Sequence, residues 1–161
     1  MASEETAKPA LGWREWVNFE GLGLPPIKAK VDTGARTSTL HAFKVRGFTR
    51  GGRKWVRFRV HPLQRDNSQV LECEALVLDQ RPVTDSGGHT QKRYVIECTL
   101  NLQGQRWPIE LTLTNRDNML FRALLGRTAI RGRYLVDPGR SFTQGGGHSE
   151  PPAIEEQREE E

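Results

Sequence analysis

Apolar and polar residues alternate along much of this chain. Val56, Phe58 and Val60 alternate with Arg57, Arg59 and His61. Tyr94, Ile96, Cys98, Leu100 and Leu102 alternate with Val95, Glu97, Thr99, Asn101 and Gln103, and Trp107, Ile109, Leu111 and Leu113 with Pro108, Glu110, Thr112 and Thr114. A period of two puts each set of side chains on one face of an extended strand, so these runs predict half-buried β-strands. Turn residues separate them: Gly51-Gly52, Asp66-Asn67-Ser68, Ser86-Gly87-Gly88, Gln103-Gly104 and Asn115-Arg116-Asp117-Asn118. A single short helical turn is expected over residues 128–131. The pattern therefore predicts an all-β body of mostly antiparallel strands, closed or sandwich-like.

The two ends break this pattern. From Thr143 the chain runs through Gly145-Gly146-Gly147 and Pro151-Pro152 into Glu155-Glu156-Gln157-Arg158-Glu159-Glu160-Glu161, with almost nothing to bury. Such composition predicts a disordered, Gly-rich acidic tail over residues 143–161, a loose start over residues 1–10, and one folded domain over 11–142. The tail carries six Glu against one Arg and the first ten residues two Glu against one Lys, which is minus six together; the formal +4 of the 161 residues then leaves +10 on the body. A body so charged favours a polyanionic partner, either an acidic peptide or nucleic acid. No run approaches the roughly 18 apolar residues of a membrane span, and the acidic start is unlike a secretory signal. The expected location is the cytoplasm, with no membrane partner and with Cys73 and Cys98 reduced; both lie in phase with strand patterns, as small core residues do.

Searches for familiar catalytic patterns find no Walker loop, no His-Glu-x-x-His pair and no Gly-x-Ser-x-Gly elbow. His41, His61, His89 and His148 are scattered without metal-ligand spacing, so neither a metal nor any other cofactor is expected. One segment stands apart. Ile27-Lys28-Ala29-Lys30-Val31 alternates as a strand and runs into Asp32-Thr33-Gly34-Ala35, which delivers a carboxylate on a rigid support into a turn of very small residues. Beyond the last strand pattern come two apolar residues, a glycine and an arginine, Leu124-Leu125-Gly126-Arg127.

These two segments, with the Gly-rich turn at Ser86-Gly87-Gly88 between them, resemble the retropepsin branch of the aspartic proteases. In that group Asp-Thr-Gly-Ala ends a strand, a hairpin flap follows, and a hydrophobic-hydrophobic-Gly-Arg segment packs behind the active-site loop. Residues 12–142 are more similar still to one bacterial family of that clan, labelled retropepsin-like aspartic endopeptidase or ATP-dependent zinc protease. The matching phrases are Gly12-Trp13-Arg14-Glu15-Trp16-Val17, Lys28 through Ser38, His61-Pro62-Leu63-Gln64-Arg65, Ala123 through Ala129, and Val136-Asp137-Pro138-Gly139-Arg140-Ser141. Neither a nucleotide loop nor a zinc constellation accompanies them.

The resemblance implies a retropepsin-like closed β-barrel and an aspartic endopeptidase. It also implies a substrate, because such genes are associated with a ligase that adds glutamates to a ribosomal protein; the implied activity is the reverse, hydrolysis within an acidic or oligoglutamate tail. Two carboxylates must share one proton, and this chain has one Asp-Thr-Gly, so a homodimer would pair Asp32 with its symmetry mate. By resemblance Thr33 would join the two loops, Gly34 would offer backbone groups to substrate, and Leu125, Gly126 and Arg127 would support the site. Ala35, Arg36, His41, Gly87 and Gly88 are the expected substrate contacts, with Arg57 and Arg59 more remote. Arg36 departs from the viral pattern, which has an acidic residue there to receive the Gly-Arg arginine, so Arg127 must find another partner. The alternative reading is an inactive β-barrel that binds peptide or RNA, with Trp13, Trp16, Trp55 and Trp107 as stacking surfaces.

Overall fold

A computed structural model describes residues 8–64, 66–84, 88, 90–102, 104–115 and 120–144. The elements that build the body are β1 (Ala10–Leu11), β2 (Arg14–Glu20), β3 (Ile27–Asp32), β4 (Ser38–His41), β5 (Phe43–Arg50), β6 (Arg53–Val60), β7 (Leu71–Thr84), β8 (Thr90–Leu102), β9 (Gln105–Thr114), β10 (Ala123–Gly126), α1 (Arg127–Ile130) and β11 (Leu135–Val136). Strands β2, β3, β10, β4, β9 and β8 follow one another, and β8 returns to β2 through Asn18 opposite Asn101, which closes a six-stranded barrel. β7, β6 and β5 extend the sheet outward from β8.

The alternating runs become the walls. Ile96, Leu100 and Leu102 of β8, Leu111 and Leu113 of β9, and Phe58 of β6 point inward and are buried, as the period of two requires. Both cysteines are buried and unpaired, and desolvation pushes the Cys73 thiol up to about 11 and the Cys98 thiol to about 12. They are core groups, not nucleophiles. At the β5–β6 turn Gly51 and Gly52 take φ of 60° and 78°, the left-handed pair that lets a two-residue hairpin follow the strand twist. The helical turn begins one residue earlier than expected, at Arg127.

Most pairings are antiparallel, but β3–β10, β4–β9 and β1–β11 are parallel. Because β3 and β10 run the same way, their C-terminal ends meet, with Asp32 in register with Gly126. The expected boundary of the body moves outward at both ends. Ala10 pairs with Leu135, and Thr143 and Gln144 donate to the carboxylate of Glu15. Thr143 and Gln144 are held because a fully buried carboxylate needs donors, a demand that composition does not show. The remaining residues expected to form the loose start and the acidic tail, 1–7 and 145–161, lie outside the described residues. Among the described residues no helix is long and apolar enough to cross a membrane.

Candidate active site

Asp32 is the last residue of β3, a strand flanked by β2 on one side and β10 on the other. Ala29 and Val31 are buried, so the backbone below the carboxylate is fixed from both sides, and Val31 N also donates to Trp13 O at 2.8 Å. Beyond Asp32 the chain turns at once. Gly34 N donates to Asp32 Oδ1 at 3.0 Å and Ala35 N to Asp32 O at 3.2 Å, a turn in which the aspartate side chain organises its own loop. Asp32 is half-buried while Thr33, Gly34 and Arg36 are exposed.

The segment from Gly126 onward holds this loop from behind. Arg127 N donates to Ala35 O at 2.8 Å, Thr128 N to Arg36 O at 3.2 Å, and Thr128 Oγ1 to the same carbonyl at 2.7 Å. Arg127 Nη1 reaches Gly34 O at 3.3 Å, so the partner of this arginine is a backbone carbonyl of the loop. Gly126 N donates to Ser38 Oγ at 3.0 Å, and Ser38 O accepts from Thr112 Oγ1 at 3.0 Å, which ties the loop to β9. A Cβ on Gly126 would lie 2.6–2.8 Å from the backbone of Thr37, so only glycine admits this approach. Leu125 is buried beneath it.

The structure thus brings Asp32, Thr33, Gly34, Ala35, Arg36, Leu125, Gly126 and Arg127 together. It separates His41 from them. His41 N donates to Arg122 O, just before β10 and four residues back from Gly126, which places it roughly 13 Å from the Asp32 end. The pattern of the sequence put Asp32 and His41 close in number, but β4 runs antiparallel to β10 and carries His41 away. Arg57 and Arg59 are also elsewhere, paired with Glu74 at 2.7 Å and Glu72 at 3.6 Å on the outer strands. Gly88 lies at the β7–β8 turn with φ of 86°, exposed; Gly87 lies outside the described residues. The outer part of that hairpin faces the loop, since Arg81, Val83 and Arg93 line one depression with Ala35, Arg36 and Thr37.

Sequence reading passed over Ser38, Thr128 and the pair formed by Arg81 and Glu110. Thr37-Ser38 and Thr128 fall inside the matching phrases, but nothing in them marks which hydroxyl meets which backbone group. Arg81 binds Glu110 through both oxygens, at 2.8 and 3.2 Å, and Asp79 at 2.8 Å. Hydrogen bonding from Arg81, with Arg36 helping through space, holds the Glu110 carboxyl below its usual range. Of the tryptophans, Trp107 is a core residue whose Nε1 donates to Ala129 O, while Trp13 and Trp16 pack on Phe121 and Phe142. Trp55 stacks on Phe48 under Arg50 on the outer sheet. Among the described residues no three His, Cys, Asp or Glu side chains converge.

Comparison with known proteins bears on this geometry. A protein from Parasynechococcus marenigrum named probable alpha-L-glutamate ligase is 54% identical over 140 residues, 87% of this chain. One of the same name from Shewanella pealeana is 50% identical over 135 residues, 84% of this chain. The chain spans 30% of the length of each of these relatives. A crystal structure of a protein of unknown function from Legionella pneumophila superposes with a TM-score of 0.69 at 28% identity, covering 84% of this chain and 98% of that one. The model of the family described as retropepsin-like aspartic endopeptidase RimB matches residues 10–146, a span that includes the whole barrel, the loop after Asp32 and its support at Gly126 and Arg127. The chain belongs to this RimB-like family of retropepsin-like aspartic endopeptidases.

Proposed function

We propose that the chain is an aspartic peptidase whose active centre forms where two copies place their Asp32 carboxylates side by side. The observation that carries this reading is the contrast within the loop itself. The loop carbonyls of Gly34, Ala35 and Arg36 are bonded from behind, while Asp32 is half-buried and Thr33 exposed, and among the described residues no donor reaches Asp32 Oδ2. A rigidly held, partly exposed carboxylate with unfilled lone pairs is what a shared-proton dyad needs. Paired, the two Asp32 groups bind one proton as a unit. The ionised one takes a proton from water as its oxygen attacks the scissile carbonyl carbon; the protonated one gives its proton to the carbonyl oxygen. The tetrahedral intermediate then collapses as a proton passes to the leaving nitrogen.

The preferred substrate in this reading is an acidic peptide, an oligoglutamate tail in particular. Arg36 is exposed next to the loop, and the body carries +10. The curated relatives are named for glutamate ligation, and a peptidase for such tails would take apart what that chemistry joins.

Mixing wild-type chains with Asp32→Asn chains tests dyad and dimer together. Hydrolysis of a glutamate peptide at fixed total protein is expected to fall as the square of the wild-type fraction, because only pairs with two aspartates act. A linear fall would assign catalysis to the single chain and overturn the shared centre.

A further inference from the structure

The face of β9 that points away from the barrel core is polar, with Pro108, Glu110, Thr112 and Thr114 in alternation. Thr112 and Thr114 are nonetheless only 5% and 3% exposed, because the outer part of the β7–β8 hairpin and the start of β5 overlie them. Three depressions run in series beneath this cover. The one above Thr112 is bounded by Arg36, Arg81 and Arg93. The next shares Arg93 and adds Lys44, Lys92 and Thr114. The third, of about 480 Å³, shares Lys44 and ends on His41, His61 and Arg122 at the far end of the barrel.

Shared walls make these one trough that begins at the loop after Asp32. Among the described residues its electrostatics are one-sided, although Arg93 and His41 already have partners. Glu110 is the one carboxylate among the described residues that line it or its mouth, and Arg81 already engages both its oxygens. Arg122 is 8% exposed and donates to neutral acceptors, Leu63 O at 3.2 Å and Asn67 Oδ1 at 2.6 Å, with Asp66 acting on it through space. Two further features mark the middle of the trough. Thr114 Oγ1 is buried there without a hydrogen-bond partner, and Lys44 has φ of 52°, a left-handed conformation that costs a lysine energy and persists where the surroundings impose it.

We propose that this trough is a track for an extended acidic peptide, with Lys44 and Lys92 forming a carboxylate subsite remote from Asp32 that makes recognition depend on peptide length. The inference rests on the acidic-substrate reading above. From Pro108 to Thr114 the track spans about 20 Å, the reach of roughly six extended residues, whose side chains on one face recur about every 7 Å. Cationic groups spread along such a distance bind several carboxylates at once, each bond charge-assisted. Tyr94 and the stacked Phe43–His61 pair line the trough and offer stacking surface to a base, so the choice of a peptide rests on the acidic-substrate reading, and binding of a nucleic acid is an outcome of the test.

The test measures binding rather than turnover, in the full chain carrying Asp32→Asn, by fluorescence anisotropy at low salt with labelled peptides of two, four, six and eight glutamates. Affinity is expected to rise at least tenfold from two to six residues and to level off beyond. Lys44→Asn with Lys92→Gln should flatten that rise while leaving the shortest peptide unchanged; asparagine tolerates the left-handed backbone at 44. Arg53→Gln with Arg131→Gln, an equal loss of charge away from the trough, should leave the rise intact. Affinity independent of length, equal losses from both double variants, or tighter binding of an oligouridylate of matched charge would overturn the proposal. Because hydrolysis is not read, an inactive wild-type chain would leave this result standing, and a flat length dependence would leave the Asp32 dyad standing.

Discussion

Two regions of this molecule are built from the same parts and end in opposite states. Around Glu15, Gly12 lies so close to Arg140 that a Cβ would overlap its carbonyl, and the carboxylate accepts from Gly12 N at 2.6 Å, Thr143 N at 3.1 Å, Thr143 Oγ1 at 2.6 Å and Gln144 N at 3.1 Å. Around Asp32, Gly126 closes on Thr37 in the same manner, but the carboxylate accepts only from Gly34 N among the described residues. Glu15 is fully buried and Asp32 half-buried. A carboxylate whose lone pairs are filled by its own fold ties two chain segments together; one held as rigidly but left unfilled is available to a second chain and a water. Rigidity alone does not distinguish the two. The count of donors does.

The largest expected effects separate the two acids. Asp32→Asn should lower peptide hydrolysis by about 10²–10⁴-fold or more while leaving the thermal midpoint almost unchanged. Glu15→Gln should do the reverse. Its amide nitrogen would face donors that have lost their acceptor, costing about 3 kcal/mol or more of stability by denaturant unfolding, with kcat of the folded fraction preserved. A Glu15 variant that is stable but inactive would break the comparison.

A middle-sized effect sharpens it at the two glycines. Gly126→Ala and Gly12→Ala each force a methyl group against backbone and should each cost about 1–3 kcal/mol. Only Gly126→Ala displaces the loop of Asp32, so it alone should also depress kcat. Equal kcat values for the two variants would show that the loop does not depend on its support.

The smallest effect concerns Glu110, the acidic group at the mouth of the trough. Arg81 holds its carboxyl below the ordinary 4.5, so the folded state binds its proton less readily than the unfolded state. The pair therefore adds stability at neutral pH that is lost as pH falls below about 4.5 and through the lowered value. Thermal midpoints of wild type and Glu110→Gln between pH 7 and pH 3 should differ slightly at neutral pH and converge in acid. Solvent screening of these exposed groups keeps the difference small. A difference that did not narrow would mean that the pair contributes nothing.

The barrel walls and half of the candidate site's loop were legible in the amino-acid order. Alternation is a local property: each pair of residues in β6, β8 or β9 declares which faces inward, and the glycine pair at 51–52 declares a tight turn without reference to the rest of the chain. Asp32-Thr33-Gly34 is likewise local, since strand end, side-chain turn and carboxylate fall within three residues. What the order of residues did not contain is direction and distance. That β3 and β10 run parallel and set Asp32 against Gly126, that β4 runs the other way and carries His41 off, and that the β7–β8 hairpin overlies the polar face of β9 are all contacts between residues far apart in the chain. The same holds for Glu15, whose donors at 143 and 144 stand more than 120 positions away. Sequence by itself determined the alternating walls, the tight turn at 51–52 and the Asp32 loop as a candidate site. Tertiary structure alone decided which carboxylate was filled and which was left open, because a hydrogen bond is satisfied by whatever backbone arrives, and its arrival is a matter of closure of the whole barrel.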